Sequence, residues 1–530
     1  MRKSLLTSLL VGSLGLSMSA FAQSDYPSLS QIDQRLKQIS SNSAATLTSL
    51  TKTEGGKDIW ALKIGTGEMD EKPAIAVVGG VEGYQLISVE LALQFAEKLT
   101  AEHGDALEKT TFYVFPNMSP DAYEQYFSSV KYERRGNAAT VDHDRDGVAS
   151  ENGYTDLDGN GMITWMRVED PMGDYVISKE DDRVLEKANK SKGESGQYSL
   201  YKESKDDDQD GEFAEDLEEG IAFNKSLTYK FPVFEPLAGD MPVTQVETRA
   251  LLDYLYNQWN IFAIVTFSPA NNLSSPLKYN AGGANKRVVT SILEKDQAIN
   301  AMVSDLYNET ISQKAFKQNN QGTDGDFFQW AYFHFGRLSF STPGYWTPEF
   351  KEKTNAEANL LAWADSLGWE NTFTPWKEIS HPDFPNQKVE VGGVNPFMMD
   401  NPPYEKAAEI AEEHTDFLLQ LASKQPNLEL HNLKTEDLGK GLTRVTVDLF
   451  NNSPIPTHSQ MGERSRWLRK IRVDIETPAE DLISGDKIKL IDSIGAYEKV
   501  ELSWIVKGNG NLSIKAGAAH TGIATKNIKL

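Results

Sequence analysis

The chain is predicted to be an α/β protein, a mixed, mostly parallel sheet flanked by helices, followed by a carboxy-terminal all-β sandwich domain. Three observations predict this. Short apolar runs such as "AIAVV" at 74–78 and "IFAIV" at 261–265 alternate with amphipathic helical stretches, the texture of strands covered on both faces. After Gln425 the pattern changes to short alternating runs divided by Gly, Asn and Asp, as in a β-sandwich. The length, 530 residues, exceeds one typical domain.

The elements follow in order. Residues 1–22, with Arg2 and Lys3 before an apolar run and Ala20-Phe21-Ala22 before Gln23, are laid out as a signal peptide cut after Ala22. An α/β domain is expected over 23–425 and the sandwich over 426–530. "LSQIDQRLKQIS" reads as a short helix and "KDIWALKIG" as a polar strand. "PAIAVVGG" is a buried strand, and a helix follows over 88–100, with Val89, Leu93 and Ala96 on one stripe. "TTFYVFPN" is the next buried strand. Thr244 and Glu247 have capping-box spacing ahead of "ETRALLDYLYNQW", and the strand "IFAIVTFS" comes next. Helices are expected again over 288–312 and 403–423. An acidic insertion, about 132–239, interrupts the alternation and has little apolar material.

Composition excludes several roles. There is no cysteine, which rules out thiolate metal sites, thiol nucleophiles and disulfides. The net charge of −24 argues against nucleic acid and anionic membrane as partners but suits divalent cations. No window besides the leader approaches the length of a membrane span. The protein is therefore expected to be exported, either periplasmic or secreted.

Five segments carry a more specific signal, in order across 73–346: "AVVGGVEGYQLISVELALQFAEKL", "TFYVFPNMSPDAYEQYF", "RRGNAATVDHDRDG", "IFAIVTFSPANNLSSPLKY" and "WAYFHFGRLSFSTPGYW". Together they resemble the zinc carboxypeptidase (carboxypeptidase A-like) family. The first is similar to its strand, Gly-Gly-x-His-Gly-x-Glu and helix. The second is similar to its Pro-x-x-Asn-Pro-Asp-Gly-Tyr, and the third to its Arg-rich stretch ending in Asn-Arg. The fourth resembles the strand bearing its last zinc-ligand His, and the fifth the segment bearing its catalytic Glu. The resemblance implies a carboxypeptidase-like fold, a zinc ion and a peptide substrate.

Carried over residue by residue, the chemistry changes. Glu82 stands at the first His and Gln85 at the Glu ligand, while the last His falls at Ser268, or at Phe267 if the register slips. The catalytic Glu falls at Gly344, or at Pro343 in the other alignment. None of the eight histidines stands in a His-x-x-Glu, His-x-His or HExxH pattern. A hydrolytic zinc needs three His or carboxylate ligands and an open position for water, so zinc is predicted to be absent. Arg145 and either Arg134 or Arg135 match the family's arginines that hold a peptide carboxylate, a task suited to a guanidinium fork. Arg145 could equally neutralise its acidic neighbours. The expectation is a catalytically silent member binding peptide, cell-wall peptide or a partner protein. The alternatives are an active metallocarboxypeptidase with an oxygen-rich metal site including Glu82, and a structural or surface protein.

The insertion adds three calcium-loop beginnings, with alternate oxygen ligands before a glycine. They are Asp142, Asp144 and Asp146 with Glu151; Asp156, Asp158 and Asn160; and Asp206, Asp208 and Asp210 with Glu215. The Glu that closes a twelve-residue loop is missing in each, where Gly153, Arg167 and Leu217 stand. Calcium in at least one run is expected to pin the insertion, and a solvated acidic loop is the alternative.

Overall fold

A computed structural model describes residues 25–142, 147–150, 152–313, 320, 322–508 and 510–530. The leader, Asp144, Arg145, Asp146 and Glu151 lie outside the described residues.

The central sheet has six strands in the order Ala45–Lys52, Asp58–Ile64, Thr111–Phe115, Ala74–Val78, Ile261–Phe267 and Leu338–Thr342. The first three pair antiparallel and the last four run parallel, so the sheet is mixed and mostly parallel, as expected. Alternation along Ala74–Val78 supplies both faces. Ile75 and Val77 join one core with Leu93, Phe95 and Leu99 of the helix Leu86–Glu102. Ala76 and Val78 join a second core with Leu251 and Leu255 of the helix Val246–Asn257, and with Trp330 of the helix Phe327–Phe333. Such a strand has no polar face because both sides are covered.

The predicted helices are present as Leu29–Ile39, Glu294–Thr310 and Ala407–Ser423. The capping box at Thr244 is not formed. The helix begins one residue later, Gln245 is its cap, and neither residue caps through its side chain. Glu247 turns inward instead and accepts from Asn137 Nδ2 at 2.7 Å. That buried bond outweighs an exposed cap.

The acidic insertion is better packed than its composition suggests. Its strands Trp165–Glu169, Tyr175–Ile177, Leu185–Lys187 and Tyr198–Lys202 combine with Phe373–Ile379 and Val389–Val394 in a second, antiparallel six-stranded sheet. Met166 and Val168 pack on Val389 and Val391, with Tyr201, Phe213, Ile379 and Phe384 around them. The missing apolar material comes from a distant part of the chain.

The carboxy-terminal domain has two four-stranded sheets. One contains Leu428–Gly439, Leu442–Asn451, Lys499–Lys507 and Leu482–Ser484; the other contains Ile488–Ile491, Ile471–Glu476, Asn511–Ala518 and Gly522–Lys529. Val445, Val447, Ile471, Val473, Trp504 and Ile514 fill its core. The short helix Gln460–Ser465 docks on the α/β domain, where Asp296 accepts from Gln460 N at 2.7 Å and Met461 N at 3.1 Å. Among the described residues no helix is long and apolar enough to cross a membrane.

Candidate functional site

The site lies at the carboxyl end of the parallel strands, where open α/β sheets place their ligands. The strand Ala74–Val78 leads into Gly79-Gly80, and the chain crosses Asn117 so closely that a side chain at Gly80, φ +60°, would strike the Asn117 backbone. Gly80 N donates to Ser88 Oγ at 3.0 Å, and Ser88 Oγ donates to Gln85 O at 2.6 Å. This turn fixes Glu82 and Gln85.

Glu82 is half-buried and accepts from Asn224 Nδ2 at 3.0 Å. Burial raises its pKa, against the opposing pull of Arg135 and of the Asn224 bond. Gln85 is 1% exposed, its Nε2 donates to Pro343 O at 3.0 Å, and its Oε1 is sealed without a partner. The amide cannot flip without setting two carbonyl oxygens against each other.

Ser268 immediately follows the neighbouring strand Ile261–Phe267 and is also 1% exposed. Its Oγ accepts from Ala270 N at 3.2 Å and lies 2.9 Å from Ser341 Oγ, which donates to Thr266 O at 3.0 Å. Its hydroxyl is thus spent on the strand pairing. Gly344 has φ +76°, and a Cβ there would overlap Leu91 Cδ1. A glutamate at this position would be both strained and aimed into the core.

Arg134 and Arg135 part company. The Arg134 guanidinium donates to Gly136 O at 3.0 Å and Asn137 O at 2.7 Å, holding the backbone. The Arg135 guanidinium lies over the Tyr84 ring, 5.0 Å from its centre, close enough to Glu82 and Glu133 for their charges to act on it. Glu219 accepts from Arg135 N at 2.7 Å and Gly136 N at 2.6 Å, which fixes the turn. Arg135 also lines a cleft of about 10 Å³ with Asp121 and Phe223, room for about one water.

Two acids beside this site were missed in the sequence. Asp326 caps the helix Phe327–Phe333, accepting from Gln329 N at 2.8 Å and Thr323 N at 2.7 Å, and burial pushes its pKa up to about 7. Asp400 is pushed up to about 6 by burial and then by Glu133. "DGDFFQW" carries an N-cap signal that finds Asp326; nothing local marks Asp400.

Among the described residues, two groups of carboxylate or imidazole converge closely enough to hold an ion, and neither includes Glu82. One unites Asp156 and Asp158 with Glu203, which follows the strand Tyr198–Lys202. Glu203 is fully buried and accepts from Thr164 N at 2.7 Å and Leu157 N at 3.1 Å. Asn160 Oδ1 accepts from Met162 N at 2.7 Å, and its backbone N donates to Asp156 Oδ1 at 3.1 Å and Asp158 Oδ1 at 3.2 Å. The other group is Asp206, Asp208 and Asp210. Asn152 Nδ2 bridges Asp208 Oδ1, at 3.2 Å, and Glu215 Oε1, while Glu215 Oε2 is sealed without a partner. Asp142 accepts from Gly147 N at 2.9 Å.

Residues 32–163 match the family described as zinc carboxypeptidase, and residues 427–529 match a domain of unknown function (DUF8731). Carboxypeptidase E of Caenorhabditis elegans is 26% identical over 176 residues, 30% of this chain and 36% of that relative. The chain thus spans about a third of the curated relative it matches. Carboxypeptidase A of Helicoverpa armigera is 13% identical with a TM-score of 0.42, covering 75% of this chain and 74% of that one. Thrombin activatable fibrinolysis inhibitor is 12% identical with a TM-score of 0.41, again covering 75% and 74%. Residues 32–163 are thus similar to the zinc carboxypeptidase family.

Proposed function

We propose that this chain is an exported, non-hydrolytic relative of the zinc carboxypeptidases that binds peptide, cell-wall peptide or a partner protein. The donor set carries the reading. A carboxylate held by Asn224, a buried amide and a hydroxyl spent on its own sheet do not fit zinc, which is held by imidazole, thiolate or carboxylate with one open position. At the place of the proton-shuttling acid stands a glycine whose Cβ direction is blocked. Export rests on the leader pattern of residues 1–22. Arg135, over Tyr84, is the described residue best suited to a ligand carboxylate. Mature protein incubated with zinc and a mixed peptide pool should release no terminal residues by mass spectrometry, yet should retain peptide in equilibrium dialysis. Chelator-sensitive release of terminal residues contradicts the reading.

The unpartnered Gln85 Oε1 favours one rival, an oxygen-only metal site with Glu82. The narrow cleft beside Arg135 favours another, a structural or surface role. Calcium is the proposed ion of the acidic segment. Glu203, just after the strand Tyr198–Lys202, supports this by supplying a carboxylate from outside the Asp156 loop, which lacks its closing Glu.

A further inference from the structure

A cleft of about 120 Å³ lies between the helix Leu29–Ile39, the start of the strand Asp58–Ile64 and residues 116–120, which follow the strand Thr111–Phe115. Its apolar lining includes Ile32, Leu36, Pro116 and Pro120, all buried. Trp60 also lines it, and its Nε1 donates to Asp33 Oδ1 at 2.8 Å, so the ring and the carboxylate fix each other. An apolar cavity of about 150 Å³ accommodates benzene, so this cleft has room for a body of about five carbons. Pro120 also lines the small cleft beside Arg135, but the two clefts share no charged residue.

Three charged residues line the cleft, and two of them are engaged elsewhere. Lys57 Nζ donates to Glu124 Oε1 at 2.7 Å. Asp58 accepts from Lys52 Nζ and from Ser49 Oγ, each at 2.6 Å. Asp33 differs: it is half-buried, its Oδ2 is not sealed from solvent, and among the described residues it forms no ion pair. Of the cations on its own helix, Arg35 is held by Glu90 and Glu97, and Lys37 is exposed. A carboxylate beside an indole and an apolar lining suits a cation on an apolar stem, the charge meeting carboxylate and ring and the methylenes meeting the lining. An anion is repelled by Asp33, and a neutral body leaves it without a counter-charge. The net charge of −24 favours approach of a cation.

We propose that this cleft binds a primary alkylammonium group of about five carbons, either a free amine or the end of a lysine side chain. The ammonium is held by Asp33, and the methylenes lie against Trp60 and the apolar lining. The site uses none of the residues around Glu82 and Arg135, so it does not depend on peptide binding there.

The test uses the full mature chain at neutral pH, where an alkylammonium is charged. In calorimetric titration n-pentylamine should bind about tenfold or more tightly than n-pentanol, which has the same stem and no charge. Asp33→Asn keeps an acceptor for Trp60 Nε1 and should remove that preference while leaving n-pentanol binding unchanged. Nα-acetyl-lysine methylamide distinguishes the source: binding as tight as that of pentylamine assigns the cleft to lysine side chains, and weaker binding assigns it to free amines. Equal binding of amine and alcohol, binding of neither, or a preference for the amine retained in Asp33→Asn overturns the proposal. Should Asp33→Asn fail to fold, the comparison of amine with alcohol on the unaltered chain decides alone.

Discussion

Gln85 and Pro343, 258 positions apart, are joined by a 3.0 Å bond from the Gln85 amide to the Pro343 carbonyl. The bond ties the Glu82 loop to the segment after the strand Leu338–Thr342, the two stretches whose sequences resemble those bearing the first ligands and the catalytic acid of zinc carboxypeptidases. In this chain the two segments hold each other.

Gln85→Ala should therefore destabilise the protein by about 1 kcal/mol, since the Pro343 carbonyl loses its donor. Gln85→Glu, which restores the ligand type of the family, should cost about 3 kcal/mol or more when ionised, because it buries an unpaired charge against that carbonyl. Urea unfolding at pH 5 and pH 8 checks this, with the larger loss at pH 8.

Gly344→Glu should not create an active site. The left-handed backbone strain costs about 1–2 kcal/mol and the collision with Leu91 about 1–3 kcal/mol more. Denaturation should show the loss, and peptide assays no gain.

Asp326 and Asp400 give a pH dependence with a defined sign. Folded pKa values of about 7 and about 6 lie above the ordinary 3.8, so the folded state binds these protons more tightly than the unfolded chain. Their contribution is fully present below about pH 4 and is lost as pH rises to about 7. Asp326→Asn keeps a capping residue and removes the titration, so its stability relative to the parent should improve from pH 5 to about pH 7 and level off above it. Thermal melts of both proteins measure the difference.

Calcium removal supplies a fourth outcome. Chelation should lower Tm, and Glu203→Gln should weaken calcium binding about 10–100-fold in calorimetry, the range seen when a carboxylate supporting a metal site is lost. Equal Tm with chelator and with millimolar calcium would leave these loops as solvated turns.

Much of the fold was legible because parallel strands covered on both faces leave apolar runs, as at Ile261–Phe267, and alternation marks sandwich strands such as Leu442–Asn451. The second sheet was not, since its strands at Trp165–Glu169 and Val389–Val394 lie more than two hundred residues apart and only pairing makes them a core. Motif order is what brings Glu82, Gln85, Ser268 and Gly344 forward as candidates. Asp400 and Glu203 are not marked by any local pattern, because their surroundings are assembled from distant segments.

The most direct measurement is elemental analysis of the purified mature chain after dialysis against zinc, paired with a peptide-hydrolysis assay on the same sample. The predicted result is less than about a tenth of an equivalent of zinc, with calcium retained and no release of terminal residues. One tightly held zinc per chain, with turnover abolished by Glu82→Ala, contradicts the account.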